Sequence, residues 1–212
     1  MTMKAATLTA ILMVTLVSAV SHAQDFSADV VYLENSKAHG RASDSAKEAR
    51  QSSKLYVSKG NIRLETNGLT GTVLVVNKEE HTAAALYPGK KSYQPLGSGP
   101  SEYFRVENAD DACADWQRSA EQKIACERVG AEVVNGRETV KYQNKMAVDT
   151  APTAVWVDKA LKFVIKWESV DTSAELRNIK EGQQAADLFL VPSEYTMAAP
   201  QKTASKSFSH RR

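Results

Sequence analysis

Histidine and carboxylate side chains are the groups in this chain that could carry out acid–base or metal chemistry. Beyond residue 23 the sequence holds His39, His81 and His210. His81 directly follows Glu79 and Glu80. Adjacent residues of a strand point to opposite faces, so at most two of these three side chains could converge on one ion. His39 has no companion ligand near it, as is typical of a solvated loop histidine. The sequence therefore predicts neither a metal site nor a cofactor.

Motifs of the common hydrolases and nucleotide-binding enzymes are missing from the sequence. It contains no HExxH, no GxSxG and no glycine-rich phosphate loop. Acidic pairs such as Asp110-Asp111 fall in loop or helix-cap contexts, where a solvated pair is the usual state. Catalysis requires a convergent set of groups, so we predict that the protein is not an enzyme and has no catalytic residues.

Cys113 and Cys126 are the two cysteines of the chain. Cys113 lies in the first half of a predicted helix over residues 109–123, and Cys126 follows its end. In this helix Ala112, Trp116 and Ala120 recur at helical spacing and form one apolar face. A redox pair favours CxxC spacing and a zinc site needs four ligands. In an exported protein an isolated pair is most simply a disulfide, and we predict one here.

The N-terminal 23 residues have the pattern of a secretory signal peptide. Lys4 precedes an apolar run from Ala10 to Val20, and the small residues around Ala23 form a cleavage site. A membrane anchor would need a longer apolar segment, and the sequence predicts no transmembrane span. We therefore expect a periplasmic protein whose residues 24–197 form one domain.

Charge is nearly balanced over the whole chain but not along it. The sequence has 27 Lys and Arg against 25 Asp and Glu, which gives the fold no strong preference for polyanions and predicts no nucleic-acid partner. Residues 198–212 include Lys202, Lys206, Arg211 and Arg212 and no acidic residue. This basic segment is predicted to be a disordered tail.

Short alternating segments separated by turn residues dominate the rest of the chain. Residues 26–33 form the first predicted strand, and residues 55–96 form a meander of four or five strands. Further strands are predicted over residues 128–134, 137–145, 153–158 and 161–168, with the first two joined by an Asn135-Gly136 hairpin turn. Residues 174–181 are predicted to form an edge strand, residues 34–53 a loop with a helical turn at 45–50, and residues 183–189 one helical turn. The fold class is therefore mainly β (α+β): one curved antiparallel sheet of about nine to eleven strands with a covering helix.

Several of these segments resemble those of a known superfamily. The succession of GNIRLE at residues 60–65, a polar turn, and LYPGKKSYQPL at residues 86–96 is similar to the opening of the LolA-like/LolB-like periplasmic lipoprotein-carrier superfamily. The C-terminal pattern of a short helix, Leu188-Phe189, Val191-Pro192 and Tyr195 is similar to the end of such domains. The resemblance implies a half-barrel whose concave face holds a lipid or lipoprotein acyl chain.

Arg63 lies on an early strand at a position where carriers of this type often place an arginine that holds lid elements closed. The resemblance therefore marks Arg63 as a candidate for contact with a lid. Alternation alone indicates a different role, because Arg63 lies between Ile62 and Leu64 and would then face outward.

A hydrophobic trough is the candidate binding site. Leu161, Phe163, Ile165 and Trp167 share one side of a predicted strand. With Leu64, Val75 or Val76, and Tyr142 they could line one trough, unless the helix around Trp116 covers them permanently as a closed core. We predict a non-catalytic binding protein for a lipid or a lipoprotein acyl chain. An envelope-stress or assembly factor that binds a partner protein through the same face is the first alternative, and an enzyme is the second.

Overall fold

The computed structural model describes residues 25–34, 48–66, 71–96, 104–119, 125–144, 153–169 and 172–198. The predicted signal peptide, His39 and the basic tail from residue 199 onward therefore lie outside the described residues. No described helix is long and apolar enough to cross a membrane.

Most of the described residues lie in strands, in agreement with the predicted fold class. The strands are β1 Phe26–Glu34, β2 Glu48–Ser58, β3 Asn61–Glu65, β4 Val73–Asn77, β5 Thr82–Tyr87, β6 Ser92–Leu96, β7 Cys126–Val134, β8 Arg137–Asn144, β9 Ala154–Asp158, β10 Phe163–Glu168, β11 Thr172–Glu181 and β12 Thr196–Met197. The α-helix α1 spans Ala112–Ser119, and two short 3-10 helices span Pro88–Lys90 and Ala186–Phe189.

All twelve strands belong to one curved sheet, in the order β12-β6-β5-β4-β3-β2-β1-β11-β10-β9-β8-β7. Neighbours are antiparallel except β12, which runs parallel to β6. The first strand lies in the middle of the sheet, between β2 and β11. It therefore joins the N-terminal meander to the strands of the C-terminal half.

Residues with positive φ form the turns of the hairpins that the sequence predicted. Asn135 and Gly136 both have positive φ, 50° and 78°, as the tight turn between β7 and β8 requires. Gly60 has a φ of 90°, and a Cβ added there would lie 2.7 Å from the Lys78 side chain. Backbone conformation and space therefore both favour glycine at the β2–β3 turn.

Two predictions about the strands are wrong. β11 is not an edge strand, because it pairs with β1 on one side and with β10 on the other. Glu175 and Arg177 lie on one face, while Ala174 and Leu176 on the other face are buried. Alternation of this kind does not distinguish an edge strand from an interior one. The predicted loop and helical turn before residue 53 are also wrong from Glu48 onward, since β2 begins at Glu48. Pairing with β1 supplies backbone hydrogen bonds there, so this part of β2 forms although its sequence has no apolar alternation.

The helix α1 packs on β8 and β9 and begins at Ala112, three residues later than predicted. Ala112 and Trp116 are buried against Val140 and Tyr142, and the rings of Trp116 and Tyr142 meet edge to face at 5.5 Å. The Tyr142 hydroxyl donates to the Ala109 carbonyl at 2.8 Å and accepts from the Ala112 amide at 3.2 Å. The predicted disulfide between Cys113 and Cys126 is confirmed, so the helix is covalently tied to the start of β7.

A C-terminal strap, residues 182–198, crosses the back of β3 to β6. Tyr195 packs on a buried cluster of Val73, Val75, Ala84 and Leu86, and Phe189 is buried. The strap ends as β12, where the Thr196 amide donates to the Lys91 carbonyl at 3.0 Å. The back of the N-terminal meander is therefore covered by the chain itself, and the opposite, concave face of the meander is left to form the site.

Candidate hydrophobic ligand site

An apolar cavity of about 130 Å³ lies on the concave face of the sheet. Its walls come from β1 to β4, from β10 and β11, and from the segment that precedes α1. The lining residues are Val30, Tyr32, Leu55, Ile62, Leu64, Leu74, Val76, Phe104, Phe163, Trp167 and Leu176. The hydroxyl of Tyr32 and the indole N–H of Trp167 are the polar side-chain groups among them.

Strand register brings the aliphatic residues of the cavity together. Ile62 is paired with Val76, and Leu64 is paired with Leu74. Directly opposite residues of an antiparallel pair share a face, so these four side chains form a continuous aliphatic wall. Leu55 extends this wall onto β2 through its pairing with Leu64.

Aromatic rings form the facing wall. The ring of Trp167 lies edge to face with Phe104 at 5.7 Å and with Tyr32 at 6.5 Å. Phe104 stacks on Phe163 at 6.0 Å, and Phe163 meets Phe26 at 5.2 Å. These separations are typical of favourable aromatic pairs. The aromatic wall is therefore a packed unit rather than a set of independent side chains.

A fork in β10 explains how Phe104 reaches the cavity. The register of β10 shifts between Val164 and Lys166, and its pairing with β11 covers Lys166 to Glu168. Before the shift, the Val164 amide donates to the Phe104 carbonyl at 2.7 Å, and the Val106 amide donates to the Lys162 carbonyl at 2.9 Å. Residues 104–106 thus bind the first half of β10 and place the Phe104 ring over the sheet.

The electrostatics of the cavity are neutral. None of the charged side chains that the structure describes lines it. Burial raises the pKa of Tyr32, whose hydroxyl is hydrogen-bonded to Ser53, so the phenol stays protonated at neutral pH. The site can therefore bind apolar groups, and its described lining residues offer neither an acid–base pair nor a counter-ion.

Part of the predicted trough coincides with this cavity. Leu64, Phe163 and Trp167 line it, as does Val76, which was the alternative to Val75. Leu161 and Ile165 are buried in the adjoining core and do not line the cavity. A ligand-binding role for these side chains remains a prediction.

The predicted trough also included Val75 and Tyr142, and the structure places both outside the cavity. Val75 alternates with Leu74 and Val76, so it faces the other side of β4, in the cluster beneath the strap. Tyr142 is buried under α1, where its hydroxyl is held by the helix start. Neither side chain belongs to the cavity.

Several of the lining residues were not predicted from the sequence to belong to the site. Val30 and Tyr32 share one side of the first predicted strand, and their two-residue spacing is a signal that could have placed them in the trough. Phe104 belongs to no predicted element, and no local pattern marks it. Its position depends on the fork in β10, which is a tertiary feature.

Arg63 faces the back of the sheet and contacts the strap. Its guanidinium donates to the Leu188 carbonyl at 3.0 Å and pairs with Glu65 at 2.6 Å. Alternation predicted this outward orientation, whereas the lid contact implied by the resemblance is not seen among the described residues. Arg63 does hold a covering segment, but that segment lies on the face opposite the cavity.

Replacing Arg63 by Ala is expected to lower the free energy of unfolding by about 1 kcal/mol, because the contact with the strap is lost. Limited proteolysis should cleave the strap faster in this variant. Arg177→Ala is the matched control, since Arg177 pairs with Glu175 two residues away on β11, also at 2.6 Å. Equal cleavage rates in the two variants would contradict the assigned contact.

Glu79, Glu80 and His81 lie in the turn between β4 and β5 and are exposed. Within the described ranges, no three His, Cys, Asp or Glu side chains are grouped closely enough to hold a metal ion.

The fold and the cavity define a curved-sheet, half-barrel class of protein with an apolar concave site. No protein-family model matches the chain, and no curated protein matches it by sequence. Among solved structures, an uncharacterized conserved protein from Thermus thermophilus is similar to this chain, with 9% identity and a TM-score of 0.51. The match covers 83% of this chain and 90% of the Thermus chain. This similarity concerns the fold alone.

Two further solved structures are similar to the chain at lower TM-scores. The Pseudomonas aeruginosa MucA/MucB complex matches 81% of this chain over 56% of the other chain, with 13% identity and a TM-score of 0.43. A putative outer membrane lipoprotein-sorting protein domain from Vibrio parahaemolyticus matches 78% of this chain over 89% of its own, with 13% identity and a TM-score of 0.31. Neither similarity carries a conclusion about ligand or partner.

Proposed function

We propose that this protein is an exported periplasmic binding protein that holds a hydrophobic ligand, without catalysis, in the cavity on the concave face of its sheet. The observation that carries the proposal is the apolar cavity of about 130 Å³ between the aliphatic and aromatic walls. The signal-peptide pattern of residues 1–23 supports export, and the disulfide suits an oxidising compartment.

The packing around the cavity supports a binding role. Protein interiors are close-packed, with few voids larger than a water molecule. Apolar side chains around a cavity of about 130 Å³ make fewer van der Waals contacts than they would in a filled core, and stability is lost as a result. An engineered apolar cavity of about 150 Å³ in another protein stays dry and binds benzene. A ligand that fills the cavity here would recover part of that lost stability.

Filling the cavity from within should abolish ligand uptake. Leu74 lines the cavity and is partly exposed, and Leu74→Trp would place a larger apolar side chain in the same space. We expect this variant to bind a fluorescent fatty acid about tenfold or more weakly than the wild type, which corresponds to the loss of two or more buried methylenes. Fluorescence titration measures the affinity, and thermal unfolding verifies the fold.

Leu190→Trp is the matched control for this experiment. Leu190 is 46% exposed in the strap, away from the cavity, so the same substitution there should leave uptake unchanged. Should overpacking unfold Leu74→Trp, Leu64→Phe tests the same wall with a smaller change. If the folded wild type takes up no probe, and native mass spectrometry of freshly isolated protein shows no bound lipid, the cavity is a closed core and the proposal is wrong.

Binding of an envelope protein through the same face remains a prediction, as does the absence of enzymatic activity. A cross-linked envelope protein captured on the concave face would support the first. The cavity is the more specific observation, because its size and lining define a ligand without reference to a partner.

A further inference from the structure

We infer that the cavity accepts a single slim apolar group of about four to six carbon atoms, belonging to a small amphiphile, and does not accept the three acyl chains of a lipoprotein anchor. The inference rests on the proposed function and adds the class of ligand. It follows from the juxtaposition of a small volume, an aliphatic wall that faces an aromatic wall, and a buried aromatic pair at one end.

The volume sets the number of atoms that fit. The described walls surround a cavity of about 130 Å³, slightly smaller than the engineered cavity of about 150 Å³ in another protein that binds benzene, a molecule of six carbon atoms. An apolar group of about four to six carbon atoms therefore fills the space. A second or third chain has no room between the same walls.

The base of the cavity limits how far a chain can enter. Strand register places Ile62 and Val76 at the Phe26 end of the cavity, because Ile62 pairs with Val76 and with Val57, and Val57 pairs with Phe26. The Phe163 ring lies at the same end and is backed by Phe26, which is fully buried. A longer chain would need to displace this packed aromatic pair. Added carbons would therefore lie outside the cavity and contribute little to binding.

The other end of the cavity lies where the strands end. Tyr32, Leu64 and Trp167 each lie one or two residues before the last residue of their strand. Tyr32 is hydrogen-bonded to Ser53, so two hydroxyl groups lie at this end of the cavity. The opposite end, lined by Ile62, Val76 and Phe163, is apolar. The polar part of the ligand therefore stays at the Tyr32 end, and the apolar group points towards Phe163.

A series of 1-alkanols from four to twelve carbons, titrated calorimetrically into the mature protein, tests the inference. Each added methylene is expected to tighten binding about fourfold until about six carbons, beyond which the affinity should level off. Leu74→Ala removes three carbons from the wall, so its plateau should move about three carbons further along the series. Leu64→Ala makes the same test on the paired strand if Leu74→Ala does not fold.

The possible results separate this inference from the proposed function. A plateau near six carbons that shifts in the enlarged variant supports the inference. An affinity that keeps rising to twelve carbons, or a triacylated lipopeptide that displaces hexanol, overturns the inference and leaves the proposed function standing. If neither an alkanol nor the fluorescent fatty acid binds, both are wrong.

Discussion

Replacing Asp158 by Ala is expected to lower the free energy of unfolding by about 3 kcal/mol. Asp158 is almost fully buried at the end of β9, and its carboxylate accepts from the amides of Ala160 and Leu161 at 2.9 and 2.7 Å. It also pairs with Arg137, whose pKa it raises through their hydrogen bond. The substitution leaves two amides and a guanidinium without their shared acceptor, next to the buried Leu161.

Urea denaturation measures this loss. Asp187→Ala is the control, because Asp187 is exposed in the strap and its replacement should change stability by less than about 0.5 kcal/mol. Asp158→Asn keeps one acceptor oxygen and should fall between the wild type and Asp158→Ala. A loss below about 1 kcal/mol for Asp158→Ala would show that the turn between β9 and β10 does not depend on this carboxylate.

Removal of the disulfide is expected to cost about 3 kcal/mol in the double variant Cys113→Ala, Cys126→Ala. The bond spans 13 residues of sequence and is the covalent link between α1 and β7. Without it, the unfolded chain gains conformational freedom, and the helix is held by the packing of Trp116 on Tyr142.

Denaturation with and without a reductant provides the control for this prediction. Reduced wild type should match the double variant, and the reductant should not affect the variant itself. If the stability of wild type and variant differs by less than about 1 kcal/mol, the packing of α1 on β8 and β9 suffices and the disulfide contributes little.

Local sequence patterns predicted the strands well because each has its own period and turn. The Asn135-Gly136 turn and the alternation in residues 161–168 are signals carried by neighbouring residues. The disulfide was predictable for a similar reason, since two cysteines in a chain predicted to be exported leave one simple pairing. The curved antiparallel sheet followed from the succession of such segments.

The cavity was only partly predictable, because its shape depends on which strand lies beside which. Alternation could not decide between Val75 and Val76, since every residue of β4 except Leu74 is buried, on one face or the other. Because the strap covers the back of the meander, residues on both faces of β4 are buried. The usual alternation between an apolar and a polar face is therefore absent there. The fork in β10 places Phe104 in the cavity wall. Tyr142 lies under α1 and does not line the cavity.

Nuclear Overhauser contacts from bound 1-hexanol test the central claim most directly, because they report where a small apolar ligand lies. We expect its terminal methyl to contact the rings of Phe104 and Phe163, with its hydroxyl end near Tyr32. Contacts should be absent from Tyr195, which lies in the strap cluster on the other face. Contacts confined to Tyr195, or to the exposed Val133 on β7, would show that the cavity is not the ligand site.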